Sequence, residues 1–391
     1  MFSKLLLSVL PRAGGRDLVY PLRLLYGRSL GIFLQRIARL RRLASSMCSA
    51  DEAPPLPVRL QIETTDVCNL KCRMCTREVI DGMNTSTMSL EQFKDIVKEI
   101  SPYYLTLNGL GEPLIDKTIF EKLEFVHDRG IMTAMPTNGT FIRGEKLEKL
   151  AQNLPDTLTF SIDGARKDSY EYVRVLGNFD QVIANYRAIL QRRNEGKTRR
   201  NTRVQILCAL QKANLRDFRP MYELKKSMPG VDSFSLVPVF DYDTEGHAFA
   251  GLIPTRQDVL ELHAEIDSAI GQATDSEQAE FYRNWKSTSS VWLDHNPNSP
   301  ATIYGNSCLV PWYSTYIDTK GRVYPCCYLT NSPHVMGNIN EQSFSEIWRG
   351  ERYKDFRRSL VHDRKNQVGC KTCSRNDDRR LQQLQHFKIL L

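Results

Sequence analysis

At 391 residues, 41% hydrophobic and 25% charged, the chain can bury a core of barrel size plus a smaller module, and it lacks the apolar run of about 18 residues that a transmembrane helix needs. The formal net charge of +8 sits in residues 1–50, where nine Lys/Arg face only Asp17; the rest is balanced, which argues against nucleic-acid binding by the body of the protein. Ten cysteines in local triplets and pairs, in a chain whose early apolar stretch Leu5–Leu10 is stopped by Pro11, read as metal ligands in a reducing, cytoplasmic setting rather than as a disulfide scaffold.

In chain order, Leu30, Phe33, Leu34, Ile37, Leu40 and Leu43 recur at helical spacing while Arg36, Arg39 and Arg42 take another face. This basic amphipathic helix has two readings: peripheral contact of residues 1–50 with an anionic membrane surface, or packing of its apolar side on the body. Six β-rich runs then alternate with amphipathic helical patterns: Val58–Glu63, Tyr103–Asn108, Ile131–Pro136, Thr157–Ile162, Val204–Leu210 and Ser233–Val237. Ser89 and Gln92 have capping-box spacing, and Gly130 suits a left-handed helix stop.

Six βα units predict an α/β fold, a partial (β/α)6 TIM-like barrel with its chemistry at the C-terminal ends of the strands. The basic run Arg192–Arg203 falls between a helix and a strand and reads as a solvated loop. After residue 240 the rhythm gives way to helical character over Thr255–Lys286, a linker at Asn296–Pro300 and a new module near residue 301. The expected domains are a 1–50 extension, a 51–250 core, a 251–300 helical connection and a 301–391 C-terminal domain.

Cys68, Cys72 and Cys75 form a C-x3-C-x2-C triplet on the loop after the first strand. Three thiolates leave one iron of a [4Fe–4S] cube without a protein ligand, whereas a structural zinc site closes with four. The triplet resembles that of the radical S-adenosylmethionine superfamily, in which the open iron chelates the amino and carboxylate groups of the methionine moiety. The resemblance extends to Gly109-Leu110-Gly111-Glu112-Pro113, similar to the family's Gly-Gly-Glu-Pro element with Leu110 in place of the first glycine, and to Ser161-Ile162-Asp163-Gly164.

It implies S-adenosylmethionine contacts from Gly111, Glu112, Ser161 at the ribose, Arg174 at the carboxylate and Met74 over the adenine. Thr137-Asn138-Gly139 is also typical of the family, and is equally explained as a turn. A second constellation comprises Cys308, Gly321-x4-Cys326 and Cys370-Lys371-Thr372-Cys373, with Gly337-Asn338-Ile339 and Glu346-Ile347-Trp348 between. This resembles the SPASM and Twitch iron–sulfur extensions. Five cysteines there limit it to one auxiliary [4Fe–4S] cluster, held by Cys308, Cys326, Cys370 and Cys373 with Cys327 spare; a four-cysteine zinc site is the alternative.

The expected activity is reductive cleavage of S-adenosylmethionine and hydrogen abstraction from an unactivated carbon, with the auxiliary cluster as electron relay. The expected partners are an electron donor such as a flavodoxin or ferredoxin and a small carbohydrate-like or aminocyclitol-like substrate, with a peptide-modifying role as runner-up. A zinc-stabilised binding protein is the reading from another class. Cys208 is a hydrogen-donor candidate for an epimerisation, against the plainer reading of a buried cysteine. No H-E-x-x-H or Ser/His/Asp pattern indicates hydrolysis.

Overall fold

The structure, a computed structural model, describes residues 35, 38–40, 42–43, 46, 54–80, 85–198, 202–240, 249–293, 308–330, 332–364, 367, 369–370 and 373. They fall into two compact units, Met1–Asp66 with Asn84–Ala134 and Tyr304–Leu391, and Val67–Met83 with Met135–Ile303.

In the first unit, β1 (Arg59–Ile62) lies between two parallel neighbours, β3 (Tyr104–Leu107) and β9 (Ser314–Ile317). β3 also pairs in parallel with the start of β4 (Met132–Thr137), while β10 (Arg322–Tyr324) and β11 (Gly337–Asn338) extend β9 in antiparallel fashion. C-terminal residues thus complete a sheet begun by residue 59. The Leu90–Ile100 helix starts where Ser89 accepts the Gln92 amide hydrogen, and its Phe93, Ile96, Val97 and Ile100 are buried at the expected helical spacing. Gln92 leaves the box half made, because its side chain bonds Asn340 instead.

At the other end of this unit the Glu351–Asp363 helix buries Arg357 against the Trp348 and Tyr353 rings, where it donates to the Pro311 and Trp348 carbonyls. Residues 35, 38–40, 42–43 and 46 are helical, and Leu40 and Leu43 are buried. Arg39 is spent on the carbonyls of Leu56, Pro57, Ile100 and Ser101. The described part of the amphipathic helix therefore packs on the protein itself; Leu30, Phe33, Leu34 and Ile37 lie outside the described residues. No helix among those described is long and apolar enough to cross a membrane.

In the second unit β5 (Thr157–Ser161), β7 (Arg203–Leu210) and β8 (Ser233–Pro238) are parallel neighbours, and β2 (Lys71–Cys72) forms a small antiparallel ladder with β6 (Arg174–Val175). All six strands expected from the sequence are present, within a residue or two at their ends. The expected helical stretch is two helices, Arg256–Gly271 and Ser276–Ser289, the first opened by reciprocal Thr255 and Asp258 bonds. Phe281 and Trp285 of the second pack on Phe234 of β8, and the Trp285 indole donates to the Leu215 carbonyl. The Asn296–Pro300 linker lies outside the described residues.

Candidate active site and auxiliary cysteine cluster

The cysteine triplet belongs to the second unit and is folded by its own backbone. β2 sets Cys72 opposite Arg174, and the Cys75 amide bonds the Cys72 carbonyl at 2.9 Å. Buried Arg77 ties the loop from below, donating to the Leu70 carbonyl, to the Cys68 carbonyl at 3.5 Å and to Glu78 at 2.6 Å. Asn138, from the Thr137-Asn138-Gly139 turn, donates to Asn69 at 3.1 Å with its amide nitrogen 3.9 Å from the Cys68 sulfur. All three cysteines are half-buried, as is Met74 between them.

Burial pushes the Cys72 thiol up to about 12; Arg174 opposes this, while Asp163, Cys75 and Cys68 add to it. Cys75 is raised for the same first reason. Thiols so placed carry protons until a cation displaces them, so loading a metal centre here releases protons.

Behind the triplet, Arg174 Nη2 lies 2.7 Å from Asp163 Oδ2, both almost fully buried, while the other Asp163 oxygen accepts the Ala209 amide hydrogen at 2.7 Å. The guanidinium expected to receive a cofactor carboxylate therefore already has a carboxylate partner; its Nε is buried and makes no hydrogen bond among the described residues. Ser161 ends β5 half-buried, its amide donating to the Tyr186 hydroxyl, which in turn donates to the Thr137 carbonyl at 2.7 Å. Cys208 is fully buried, on the same face of the sheet as Phe160, which stacks on Tyr186 of the Phe179–Asn194 helix. That is the helix-covered face, away from Gln205 and Thr159.

The Gly109–Pro113 loop belongs to the first unit. The Leu110 amide donates to Glu63 Oε1 at 2.7 Å. A Cβ on Gly109 would stand 2.3 Å from the Glu63 side chain, and one on Gly111 would stand 2.1 Å from the Thr65 carbonyl oxygen. Close approach therefore requires both glycines, and Leu110 is tolerated because only its backbone is used. Glu112 is buried and accepts the Leu114 amide hydrogen, so its carboxylate shapes the turn. Burial lifts Glu63 to about 7; Asp318 adds to this, and the Leu110 and Thr319 amides and the Tyr316 hydroxyl oppose it.

The auxiliary cysteines lie in the same unit. Cys326 has Cys327, Cys308, Cys373 and Cys370 around it, and burial pushes its thiol well up. Cys370 neighbours Cys308 and Cys373 and is pushed up to about 12, again by burial first. Cys327 faces differently, with Arg59 and Gln61 beside its sulfur. Gly321, three residues before Tyr324-Pro325-Cys326, turns the hairpin at φ +79°. Among the described residues no three His, Cys, Asp or Glu side chains converge on a point that would hold a single metal ion.

The register reveals a further surface that the motifs had not marked. His127 meets Thr133 at 3.0 Å and Tyr353 meets Thr315 at 2.8 Å, both partners being helical, so the row Thr133, Leu105, Leu60 and Thr315 faces the helices. The alternate residues, Arg59 and Gln61 of β1, Tyr104 and Thr106 of β3 and Tyr316 of β9, share the opposite, interior face. The alternation Arg59-x-Gln61-x-Glu63 in an otherwise apolar strand was the available signal.

Comparison with known proteins gives two domain matches: residues 62–223 match the Radical SAM superfamily, and residues 308–374 match SPASM, an iron–sulfur cluster-binding domain. An AdoMet-dependent heme synthase of Methanosarcina barkeri is 26% identical over 303 residues, 73% of this chain and 80% of the relative. Mycofactocin maturase MftC of Mycolicibacterium smegmatis is 25% identical over 77% of this chain and 72% of its own. The crystal structure of Streptococcus suis SuiB bound to S-adenosylmethionine shares the fold, with a TM-score of 0.60 at 15% identity, covering 89% of this chain and 76% of that one.

Proposed function

Since the chain is a radical S-adenosylmethionine enzyme with a SPASM domain and iron–sulfur clusters as cofactors, we propose that it oxidises or epimerises a small polar substrate at an unactivated carbon, with Cys68, Cys72 and Cys75 holding the catalytic cluster. The observation that carries this reading is the triplet itself, on the loop that follows β1, with its middle cysteine opposite Arg174. When bound, the cluster and S-adenosylmethionine supply a 5′-deoxyadenosyl radical that removes hydrogen from carbon.

The protein's own residues hold and orient. Arg77 and Asn138 brace the loop; in the second unit the Ser161 hydroxyl, Met74 and the Nε edge of Arg174 would contact the cofactor's ribose, adenine and carboxylate, and in the first unit the Gly111 backbone would receive its amino group. Glu112 acts through the turn it caps. In the first unit Cys308, Cys326, Cys370 and Cys373 hold an auxiliary cluster able to take the electron that a substrate oxidation yields. A flavodoxin or ferredoxin delivers the electron that starts the cycle, in a cytoplasmic setting.

Two results test the proposal. Anaerobic reconstitution should give about eight irons per chain, and the loaded enzyme should form 5′-deoxyadenosine from S-adenosylmethionine with a reductant. A chain that binds zinc in place of iron and leaves S-adenosylmethionine intact overturns it. The fold shared with SuiB, which has also been solved bound to its precursor peptide SuiA, favours a second reading, a peptide substrate, which isotope transfer from a labelled peptide to 5′-deoxyadenosine would identify.

A further inference from the structure

The buried arginines among the described residues each have a partner, although single nitrogens of Arg77, Arg174, Arg357 and Arg364 make no hydrogen bond there. Arg77, Arg357 and Arg39 donate to backbone carbonyls, and Arg174 stands against Asp163. Arg59 departs from this pattern. Half-buried at the start of β1, its side chain makes no hydrogen bond or ion pair among the described residues, and its Nε is buried without a partner. Its guanidinium lies over the Tyr104 ring, 5.7 Å from the centroid and on the same face. Thr106, on that face one step further along β3, also has a buried hydroxyl with no partner among the described residues.

A guanidinium held at the interior face without a carboxylate is costly unless something else completes it. Gln61 beside it is anchored to Asn108 at 2.9 Å, so the wall is fixed rather than free to swing onto Arg59. A planar fork of donors, an aromatic plate and an orphan hydroxyl on one face suit a planar anion. The neighbouring Cys327 points the same surface toward the auxiliary cysteines.

We infer that Arg59 anchors a carboxylate of the substrate, with Thr106 as a second contact, so that the enzyme acts on a carboxylate-bearing molecule. The inference rests on the enzyme reading above and deepens it. The anchored acid lies on the interior face of β1 and β3, and Tyr104 limits the depth to which it enters.

The test uses the full-length reconstituted enzyme and three acid probes, propionate, succinate and D-glucuronate, against their neutral counterparts propionamide, succinamide and glucose. Saturation-transfer NMR should show saturable binding of the acids alone, weakened at least tenfold in Arg59→Gln and partly restored in Arg59→Lys. In the wild-type chain, arginine labelling by phenylglyoxal followed by peptide mass spectrometry should show Arg59 protected by the acids and not by the amides; this readout does not depend on any variant folding. Acids that bind no better than amides, or protection that spares Arg59, overturn the inference. Cleavage of S-adenosylmethionine measured on the same preparation separates the two failures: cleavage without acid binding sinks only the anchor, whereas loss of cleavage alone sinks the enzyme reading.

Discussion

Arg174 and Asp163 form a buried ion pair at 2.7 Å, and the same arginine stands opposite Cys72 in the β2–β6 ladder. The pair therefore connects the end of β5 to the cysteine loop. Removing one partner of such a pair leaves an uncompensated buried charge. Arg174→Gln should lower unfolding stability by on the order of 3–5 kcal/mol, and the double variant with Asp163→Asn should regain much of the loss. Anaerobic urea unfolding checks this; a double variant no more stable than Arg174→Gln would show that the pair is not the cause.

Glu63 gives a pH signature. Burial holds it near 7 against an ordinary 4.5, so between those values the folded chain retains a proton that the unfolded chain has lost. Stability contributed by the protonated form is present below this window and is lost as pH rises through 7, by on the order of 3 kcal/mol. Glu63→Gln should gain on the wild type at pH 8 and match it near pH 5 in thermal unfolding. An offset that is the same at both pH values would refute the assignment.

The glycines of the Gly109–Pro113 loop should differ in tolerance. A methyl at Gly109 meets a side chain, that of Glu63, while one at Gly111 meets the Thr65 backbone carbonyl. Gly109→Ala should therefore be rescued by Glu63→Ala in the same chain, and Gly111→Ala should not. Melting temperature and S-adenosylmethionine affinity are the measurements, and equal rescue of both would contradict the packing described.

Iron counts separate the two cysteine sets. Cys68→Ala, Cys72→Ala or Cys75→Ala should leave about four irons per chain and abolish S-adenosylmethionine cleavage, whereas Cys308→Ala or Cys370→Ala should leave about four irons and retain cleavage without substrate. Cys326→Ala should behave like Cys308→Ala, while Cys327→Ala should keep the full iron content. Loss of iron from Cys327→Ala would move the ligand assignment by one residue.

Much of the fold was legible because it is local. Alternating β-branched strands and periodic helices between residues 58 and 238 announce themselves, as do the Ser89 cap and the left-handed Gly130, at φ +64°. The parallel pairing of β9 with β1 carries no such signal, because two short strands far apart in sequence contain nothing that names their partner. The two-residue ladder of Cys72 with Arg174 was hidden for the same reason. In the site, cysteine spacing was readable, but Arg174's pairing with Asp163 and the unpaired state of Arg59 are tertiary facts: each depends on what the fold brings near a guanidinium, not on the residues adjoining it.

The pairing of β1 with β9 also sets a clock on biosynthesis. At roughly 5–20 residues per second, a ribosome needs on the order of tens of seconds to make the stretch of about 250 residues between the two strands. During that time one flank of β1 is an open edge, ready to pair with another chain. Because β9 lies between Cys308 and Cys326, closing that edge and bringing the auxiliary cysteines together belong to the same late stage of synthesis.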